Sequence, residues 1–291
     1  MSDIDTPGLR DLLLAGPARL THFAPNSGNA GDSLIAEASY QFLDGIGLAY
    51  QTVDLAAKLE RPGRLIVGGG GNLVKPYRNA RRFIEAHLDR YDELIILPHS
   101  IQAHEDLLAR LDARATIICR ERRSFDFCTR HAPAACVLLG HDMALLWQRD
   151  ANKMRARRAL SASAGAMRFH IRNLKLLVRG LTLHGQIRNG ALNAFRLDVE
   201  SKGGAVPPHN LDLSTLFATD SMAWPYAARA VDALADFIDR AQIIRTDRLH
   251  IAILAALLGK TVEMHDNNYG KNSAVYAHSL AERFPNIKFM T

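Results

Sequence analysis

The sequence has little cysteine, few aromatic residues and no long hydrophobic run. Its three cysteines, Cys119, Cys128 and Cys136, are odd in number, and no two of them have the CxxC spacing. This pattern argues against a disulfide framework and against a cysteine zinc site, and it fits a reducing cytoplasm. No segment reaches the roughly 18 uninterrupted apolar residues of a membrane span. The acidic start, MSDIDTPGLR, has no apolar core, so we expect no signal peptide.

Acidic residues are scarce in one segment, residues 149–188, although the whole chain has a formal net charge of only +6. This segment contains ten Lys or Arg and one acid, Asp150, which gives +9 and leaves −3 for the rest of the chain. The basic residues alternate with apolar ones, as in an amphipathic helix. Docking to an anionic membrane surface and a solvated linker helix both remain open. No nucleic-acid motif accompanies the charge, so we expect no nucleic-acid partner.

Short apolar runs and helical patterns alternate along the rest of the chain, and each predicted strand ends in a polar or glycine-rich turn. The predicted strands are Arg19–Ala24, Arg64–Val67, Glu93–Leu97, Ala115–Cys119, Ala135–Leu139, Asn193–Val199, Ile243–Ile244 and Thr261–Met264. The predicted helices are Thr6–Leu14, Ser33–Leu43, Pro76–Leu88, Glu105–Leu111, Tyr226–Arg240, Ile251–Leu258 and Ser273–Arg283. This order predicts an α/β fold with a doubly wound parallel sheet. We expect Rossmann-like domains at 1–150 and 191–291, joined by a basic linker or insertion at 151–190.

Glycine is concentrated in two turns that follow predicted strands. The first is Gly28–Asp32, and the second contains the four successive glycines Gly68–Gly71 before Asn72. Such glycines let a ligand approach the main chain closely at the carboxyl end of a strand, where open α/β sheets bind their ligands. Neither turn is a P-loop or a GxGxxG motif. Taken alone, Asp32 is best interpreted as a helix N-cap.

The densest group of charged residues lies in the turn from Arg245 to His250. Thr246 is the expected N-cap of the helix that follows, and Ile251–Leu258 has no polar residue on any face, so this helix should be buried all round. Helix N-termini attract anions, and Arg248 strengthens that attraction. The turn therefore predicts a site for an anionic substrate with His250 as proton carrier. A structural Asp–Arg pair beside a half-buried His250 explains the same residues, and both interpretations stay open here.

In their order along the chain, these turns resemble the polysaccharide pyruvyltransferase family. The matching pieces are Gly28–Asp32, Gly68–Gly71, Pro98–Ile101, Arg120–Ser124, Thr246–His250 and Tyr269–Asn272. They cover nearly the whole chain apart from the basic segment. One departure is His99, where we expect the family to have Gln more often.

The resemblance implies two Rossmann-like domains facing a cleft, as in the GT-B architecture. It also implies phosphoenolpyruvate as the donor, a sugar of an exopolysaccharide or cell-surface glycan as the acceptor, and a pyruvate ketal as the product. No cofactor is implied. Because the sequence has no clustered carboxylates or His/Cys ligand spacing, we expect no obligatory metal ion. A lipid-linked acceptor would place the protein at the inner face of the membrane.

The resemblance and the required chemistry also imply roles for individual residues. His250 is the expected general acid and Asp32 the candidate base, because phosphoenolpyruvate must gain a proton and sugar hydroxyls must lose theirs. The expected donor-binding residues are Arg248, Leu249, Arg120, Gly69, Gly70 and Asn29. The expected acceptor or rim residues are His99, Ser100, Asn72 and Asn272. We expect Arg245 and Asp247 to be structural.

Two other functions remain open at this stage. A nucleotide-sugar glycosyltransferase of GT-B type would need a base pocket in the second domain and would not respond to phosphoenolpyruvate. A non-catalytic glycan- or membrane-binding subunit of a polysaccharide assembly complex would have no use for the Arg248/His250 pair.

Overall fold

The computed structural model consists of two compact units, each built on its own parallel sheet. The structure describes residues 6–61, 63–75, 77–149, 178, 182–203 and 205–290. The first unit comprises Met1–Ser27 and Phe42–Met143, and the second comprises Gly28–Gln41 and Ala144–Thr291. A segment early in the sequence, Gly28–Gln41, therefore belongs to the second unit. The predicted basic linker at 151–190 lies mostly outside the described residues.

The first unit contains a seven-stranded parallel sheet in the order β2-β1-β3-β5-β6-β7, with β4 beside β5. Its strands are β1 (Thr21–Ala24), β2 (Gln51–Thr52), β3 (Gly63–Val67), β4 (Gly70–Leu73), β5 (Tyr91–Ile101), β6 (Ala115–Cys119) and β7 (Cys136–Leu139). Its helices are α1 (Thr6–Leu14), α3 (Asn79–His87), α4 (Glu105–Leu108) and α5 (Arg122–His131). Helix α2 (Ala30–Gly45) belongs to the second unit as far as Gln41 and to the first unit from Phe42. A 3-10 turn (Met143–Leu146) follows β7.

Strand β5 lies at the centre of this sheet and is longer than the sequence predicts. It has 11 residues, and its stretch Leu94–Leu97 is fully buried. Val67, Ile96 and Ile117 from three neighbouring strands share one core cluster with Phe83 of α3. Buried on both faces, such strands are near-continuous apolar runs, which is why the sequence identified them.

The second unit contains a four-stranded parallel sheet in the order β11-β10-β9-β8. Its strands are β8 (Ala191–Asn193), β9 (Ile243–Thr246), β10 (Thr261–His265) and β11 (Ile287–Met290). Its other helices are α6 (Leu213–Leu216), α7 (Trp224–Ile238), α8 (Leu249–Leu257) and α9 (Lys271–Val275), with a 3-10 turn (His184–Gln186) and a π turn (Tyr276–Leu280). Residues Ile251–Ala255 of α8 are fully buried, as predicted, whereas Leu257 and Leu258 at its end are half-buried.

The α/β class with parallel, Rossmann-like sheets is confirmed, whereas the GT-B arrangement remains a prediction. Several predicted element ends are wrong, among them three that bear on the site and the helix predicted at Glu105–Leu111, which ends at Leu108. The strand predicted at Asn193–Val199 ends at Asn193, and the closing helix predicted from Ser273 to Arg283 is the shorter α9 followed by the π turn. The polar loop predicted at His99–Gln102 largely belongs to β5, because pairing with β4 and β6 extends that strand.

The sequence analysis also missed short elements. Strand β4 begins inside the glycine run at Gly70, and β11 and α5 have no predicted counterpart. Among the helices that the structure describes, none is both long and apolar enough to cross a bilayer.

Candidate functional site

Two helix starts meet in the second unit at Gly31 and His250. Gly31 is the second residue of α2, and His250 is the second residue of α8. A Cβ atom added to Gly31 would lie 2.7 Å from His250 Nδ1 and 3.0 Å from His250 Cβ. Only glycine allows the half-buried imidazole to occupy this position. The amide-rich ends of two helices therefore converge beside a histidine, an arrangement that favours a bound anion.

Asn29 and Asp32 form a capping box at the start of α2. The Asn29 side-chain Oδ1 accepts the Gly31 N–H at 2.8 Å, and Asp32 Oδ2 accepts the Asn29 N–H at 2.8 Å. Asn29 is therefore the N-cap, and Asp32 is its reciprocal partner three residues later. The interpretation of Asp32 as the N-cap is wrong by three positions. Its proposed role as a base remains a prediction.

The N-cap of α8 is Arg248, and the predicted cap Thr246 is wrong. Thr246 is fully buried; its Oγ1 donates to the Ala194 carbonyl at 2.7 Å and accepts the Arg248 N–H at 3.0 Å. Leu249 is the first residue of α8, and its side chain is buried. The main-chain amides of a first helical turn point toward the helix start and have no partner within the helix. Thr246 thus ties the turn to the end of β8 and fixes where Arg248 leaves the main chain.

The Arg248 guanidinium is held by two carboxylates. Nη1 lies 2.8 Å from Asp198 Oδ2, and Nη2 lies 2.5 Å from Asp212 Oδ2. The side chain of Arg248 is 5% exposed, whereas that of Asp198 is 40% exposed. The sequence predicted Arg248 as an anion receptor but did not identify either of the carboxylates that pair with it.

These ion pairs continue into a charge network that sequence analysis missed. Arg196 contacts Asp198 and Glu200, and Lys271 Nζ lies 2.9 Å from Glu200 Oε2. Burial alone would raise the pKa of Glu200, but the charges of Lys271 and Arg196 lower it to about 2. The carboxylate therefore stays ionised near neutral pH, and the network holds the segment after β8 against the start of α9.

Charged and apolar residues alternate in the segment that carries this network, from Arg196 to Glu200. Arg196, Asp198 and Glu200 join the network, whereas Leu197 and Val199 are 65% and 80% exposed. The sequence analysis interpreted this alternation as a strand, Asn193–Val199, without assigning its buried side. In the structure Arg196 and Glu200 are buried, whereas Asp198 is 40% exposed.

Several buried polar atoms of the network have no hydrogen-bond partner among the described residues. They are Arg248 Nε, Asp212 Oδ1, Asn267 Nδ2 and Asn272 Oδ1. Folded proteins pair nearly all such groups with protein atoms, water or ions, so the unpaired atoms here mark positions where water or a ligand would bind. We give the name His250 cluster to four residues at the starts of α2 and α8, which are Asn29, Gly31, Arg248 and His250.

The predicted structural residues of the turn behave as expected. Arg245 pairs with Glu263 at 2.7 Å, and Asp247 Oδ1 accepts the Arg196 N–H at 2.8 Å. Burial raises the pKa of Asp247. Asn272 is fully buried and donates to the Asp247 and His265 carbonyls at 2.6 Å and 2.9 Å. Asn272 thereby holds the main chain of the turn, and its predicted role as an acceptor or rim residue remains a prediction.

In the first unit, Arg120 lies at the end of β6 and is 1% exposed. Its Nη1 lies 2.7 Å from Asp142 Oδ2, and its Nε donates to Ser100 Oγ at 2.9 Å. Nη2 lies 3.5 Å from the position of a Cβ on Gly71. Ser100 is fully buried and its hydroxyl orients Arg120, while its predicted role as an acceptor or rim residue remains a prediction. We call Arg120, Ser100, Asp142 and Glu121 the Arg120 cluster.

His99 supports the glycine turn. It is fully buried, and its Nε2 accepts the Asn72 N–H at 3.0 Å. Burial and the Arg120 charge lower the pKa of His99 to about 3, so the ring is neutral. Its predicted role as an acceptor or rim residue remains a prediction. Asn72 itself is half-buried and donates to the Ser27 carbonyl at 3.0 Å.

The glycine turn is also held from its other side. Asn26 Nδ2 donates to the Gly68 and Gly69 carbonyls, both at 2.7 Å. Gly70 has a φ of 131°, a conformation that favours glycine. A Cβ on Gly68 would lie 2.9 Å from the Asn26 nitrogen. The donor-binding roles predicted for Gly69 and Gly70 remain predictions, but the close main-chain packing that needs glycine is present.

Glu121 is a buried carboxyl at the N-cap of α5. Its Oε1 accepts the Ser124 hydroxyl, and Ser124 Oγ accepts the Ile101 N–H at 2.8 Å. Burial raises the pKa of Glu121 to about 7, against the opposing effects of the Ser124 hydroxyl and the Arg120 charge. The sequence analysis quoted Glu121 within a motif but assigned it no role.

Among the described residues, no three His, Cys, Asp or Glu side chains converge as metal ligands do. The expectation that no metal ion is required remains a prediction.

Comparisons with known proteins identify the family of this chain. The profile of the polysaccharide pyruvyl transferase family matches residues 29–262. A Bacillus subtilis (strain 168) protein named "Putative pyruvyl transferase EpsO" is 26% identical over 91% of this chain and 86% of its own. The crystal structure of an uncharacterized Klebsiella pneumoniae protein, KP1_0663, is 28% identical, with a TM-score of 0.75 over 98% of this chain and 96% of that one. Since the family profile spans most of the sequence, the chain belongs to the polysaccharide pyruvyl transferase family.

Proposed function

We propose that this protein transfers the pyruvyl group of phosphoenolpyruvate to a glycan and forms a pyruvate ketal. The observation that best supports this proposal is the contact between Gly31 and His250, which brings the starts of two helices and a proton-carrying side chain together. Phosphoenolpyruvate has a phosphate and a carboxylate, and helix starts and arginines are suitable receptors for both.

The His250 cluster binds the donor in this proposal. The main-chain amides at the starts of α2 and α8 point at its anionic groups, and Arg248 adds a positive charge. Electrostatic stabilisation by fixed amides and an arginine then replaces a metal ion. Activity in the presence of EDTA tests this part of the proposal. Donor binding by Arg120, which the resemblance implies, is tested separately by Arg120→Lys.

The chemical step needs a proton at the donor. His250 protonates the methylene carbon of phosphoenolpyruvate, which becomes a methyl group and leaves C2 electrophilic. One sugar hydroxyl adds to C2, and a second hydroxyl displaces inorganic phosphate from it. Of the two hydroxyl protons, one restores His250 and the other leaves with the phosphate. Histidine suits this task because its pKa normally lies near neutral pH.

The proposal is tested by calorimetric binding of phosphoenolpyruvate, UDP-sugars and CMP-sugars to the wild-type protein and to His250→Gln. We expect both proteins to bind phosphoenolpyruvate with similar affinity. Turnover should fall about 10²- to 10⁴-fold in His250→Gln, as loss of a general acid predicts. His131→Gln, which changes a histidine at the end of α5, is the control and should keep full turnover. Binding of a nucleotide sugar without phosphoenolpyruvate would show that the chain is a glycosyltransferase instead.

We further propose that the acceptor is a lipid-linked glycan and that residues 149–188 dock to an anionic membrane. The +9 charge of this segment and its interspersed apolar residues support the proposal. Flotation with anionic vesicles should recover the protein at low salt and lose it at high salt, whereas zwitterionic vesicles should not recover it. Equal recovery with both vesicle types would rule out electrostatic docking.

A further inference from the structure

The two carboxylates that hold Arg248 differ in how firmly they are themselves held. Asp212 is 9% exposed and lies at the N-cap of α6, where its Oδ2 also accepts the Leu197 N–H at 3.2 Å. Asp198 is 40% exposed and lies on the segment that follows β8. Both contact Arg248, but only Asp212 is buried, so solvent and solutes reach Asp198 more readily.

Two hydrogen bonds from Asn268, to the Val199 and Glu200 carbonyls at 3.0 Å and 3.2 Å, hold the segment, but little side-chain packing surrounds Asp198. Its neighbours Leu197 and Val199 are 65% and 80% exposed, so their side chains contribute few contacts. Asp198 Oδ1 accepts the Glu200 N–H at 3.0 Å and lies 3.3 Å from Arg196 Nε. These interactions keep Asp198 beside a second cation when its other oxygen leaves Arg248. Release of Arg248 therefore does not leave a carboxylate without a partner.

We propose that Asp198 is a displaceable counter-ion that sets the donor affinity of Arg248, whereas Asp212 is its permanent positioning residue. An anionic group of the donor competes with Asp198 for the Nη1 edge of the guanidinium. Asp212 keeps the Nη2 edge and thereby holds the orientation of the fork. This inference rests on the proposed function, in which Arg248 binds an anionic donor.

Substitution of the two carboxylates should change the affinity for an anion in opposite directions. Asp198→Asn removes the competitor but keeps its shape, so the affinity for an anion should rise about twofold to fivefold, the range expected for a half-exposed ion pair. Asp212→Asn loosens the guanidinium, so the affinity should fall about tenfold or more, as expected for a buried partner. A purely structural role would lower stability in both variants and would not raise the affinity in either.

The test is calorimetric titration of wild type, Asp198→Asn and Asp212→Asn with phosphoenolpyruvate and, separately, with inorganic phosphate. Asp236→Asn is the matched control, because Asp236 pairs with Arg149 at a more exposed site of the same unit. It removes the same charge from the unit and should leave both affinities unchanged. If Asp212→Asn does not fold, Asp198→Asn alone decides the outcome.

The outcomes separate this inference from the proposed function. Phosphoenolpyruvate binding that Asp198→Asn leaves unchanged or weakens would overturn the counter-ion role and leave the proposed function intact. Phosphate binding that Asp198→Asn tightens, without any phosphoenolpyruvate binding, would support the counter-ion and refute the donor. If no variant binds either anion, Arg248 is structural and both are wrong. A tightening in Asp236→Asn as well would assign the effect to overall charge and overturn the counter-ion role.

Discussion

Arg120 in the first unit and Arg248 in the second both follow a strand of their own sheet, yet they are held in different ways. Arg120 and its partner Asp142 are each 1% exposed, and Ser100 fixes a further edge of the guanidinium. Arg248 has two carboxylate partners, one of which is 40% exposed. The difference suggests that Arg120 is a rigid part of the fold, whereas Arg248 can exchange one partner for a ligand.

The largest effect should come from breaking the rigid pair. Asp142→Asn removes the charge opposite a fully buried arginine, and such losses cost about 3–5 kcal/mol of unfolding free energy. Urea unfolding measures this loss. The double variant Arg120→Met, Asp142→Leu should recover much of it, because it removes both buried charges. A loss below about 1 kcal/mol in Asp142→Asn would show that Arg120 is no more rigid than Arg248.

A second prediction concerns the close contact between Gly31 and His250 in the second unit, which joins the starts of two helices. Gly31→Ala places a methyl group 2.7 Å from His250 Nδ1, so the imidazole must move. Overpacking of this kind costs about 1–3 kcal/mol, although alanine is otherwise the better helix former. We expect turnover to fall about tenfold to a hundredfold, because small displacements of a catalytic group have large effects.

Gly45→Ala is the matched control for Gly31→Ala. Gly45 is the last residue of the same helix, and no atom lies within 4 Å of its added Cβ. Steady-state assays and urea unfolding of both variants give the comparison. Full turnover in Gly31→Ala would mean that the position of His250 does not matter for the reaction.

The third prediction uses two buried side chains near Arg120, His99 and Glu121, whose pKa values are shifted in opposite directions. The pKa of His99 is lowered from 6.5 to about 3, so below pH 6.5 the unfolded chain binds a proton that the folded chain does not. Stability from this group falls as the pH falls from 6.5. The pKa of Glu121 is raised from 4.5 to about 7, so the folded chain binds the extra proton and stability falls as the pH rises through this range.

Between pH 5 and 6.5 the two effects oppose each other, and single variants should separate them. In His99→Gln only the Glu121 effect remains. The unfolding free energy of this variant should therefore rise on acidification relative to wild type, by about 1 kcal/mol per pH unit. Glu121→Gln should show the opposite slope. Urea unfolding at several pH values measures both slopes. Parallel pH profiles for the two variants would contradict the burial of these groups.

The regular elements were predictable from the sequence because their signals are local. Apolar runs ending in polar or glycine turns identified β6, and a uniformly apolar segment identified α8. The end of β5 was not predictable, since His99 and Ser100 are polar and join the strand only through pairing with distant β4 and β6. Pairing between segments far apart in the sequence leaves no periodic signal in either of them.

The candidate site was predictable in its main residues but not in their partners. Arg248 and His250 stood out because charged residues are unusual at the start of an apolar helix. Asp198 and Asp212 come from other segments, and the alternation around Asp198 indicates two faces without showing which one is buried. The contact between Gly31 and His250 joins residues more than 200 positions apart, so only the folded chain reveals it.

The smallest predicted effect is the most direct test of whether Arg248 can exchange a partner. Asp198→Asn should lower the unfolding free energy by no more than about 1 kcal/mol, because Asp198 is 40% exposed and Arg248 keeps its second partner, Asp212. Urea unfolding at low and at high sodium chloride should show this difference shrinking with salt, whereas the loss in Asp142→Asn should persist, since buried pairs are screened far less. Suppose instead that the loss in Asp198→Asn matches that in Asp142→Asn and does not respond to salt. Asp198 would then be as fixed as Asp142, and an anionic ligand would have no weakly held carboxylate to displace from Arg248.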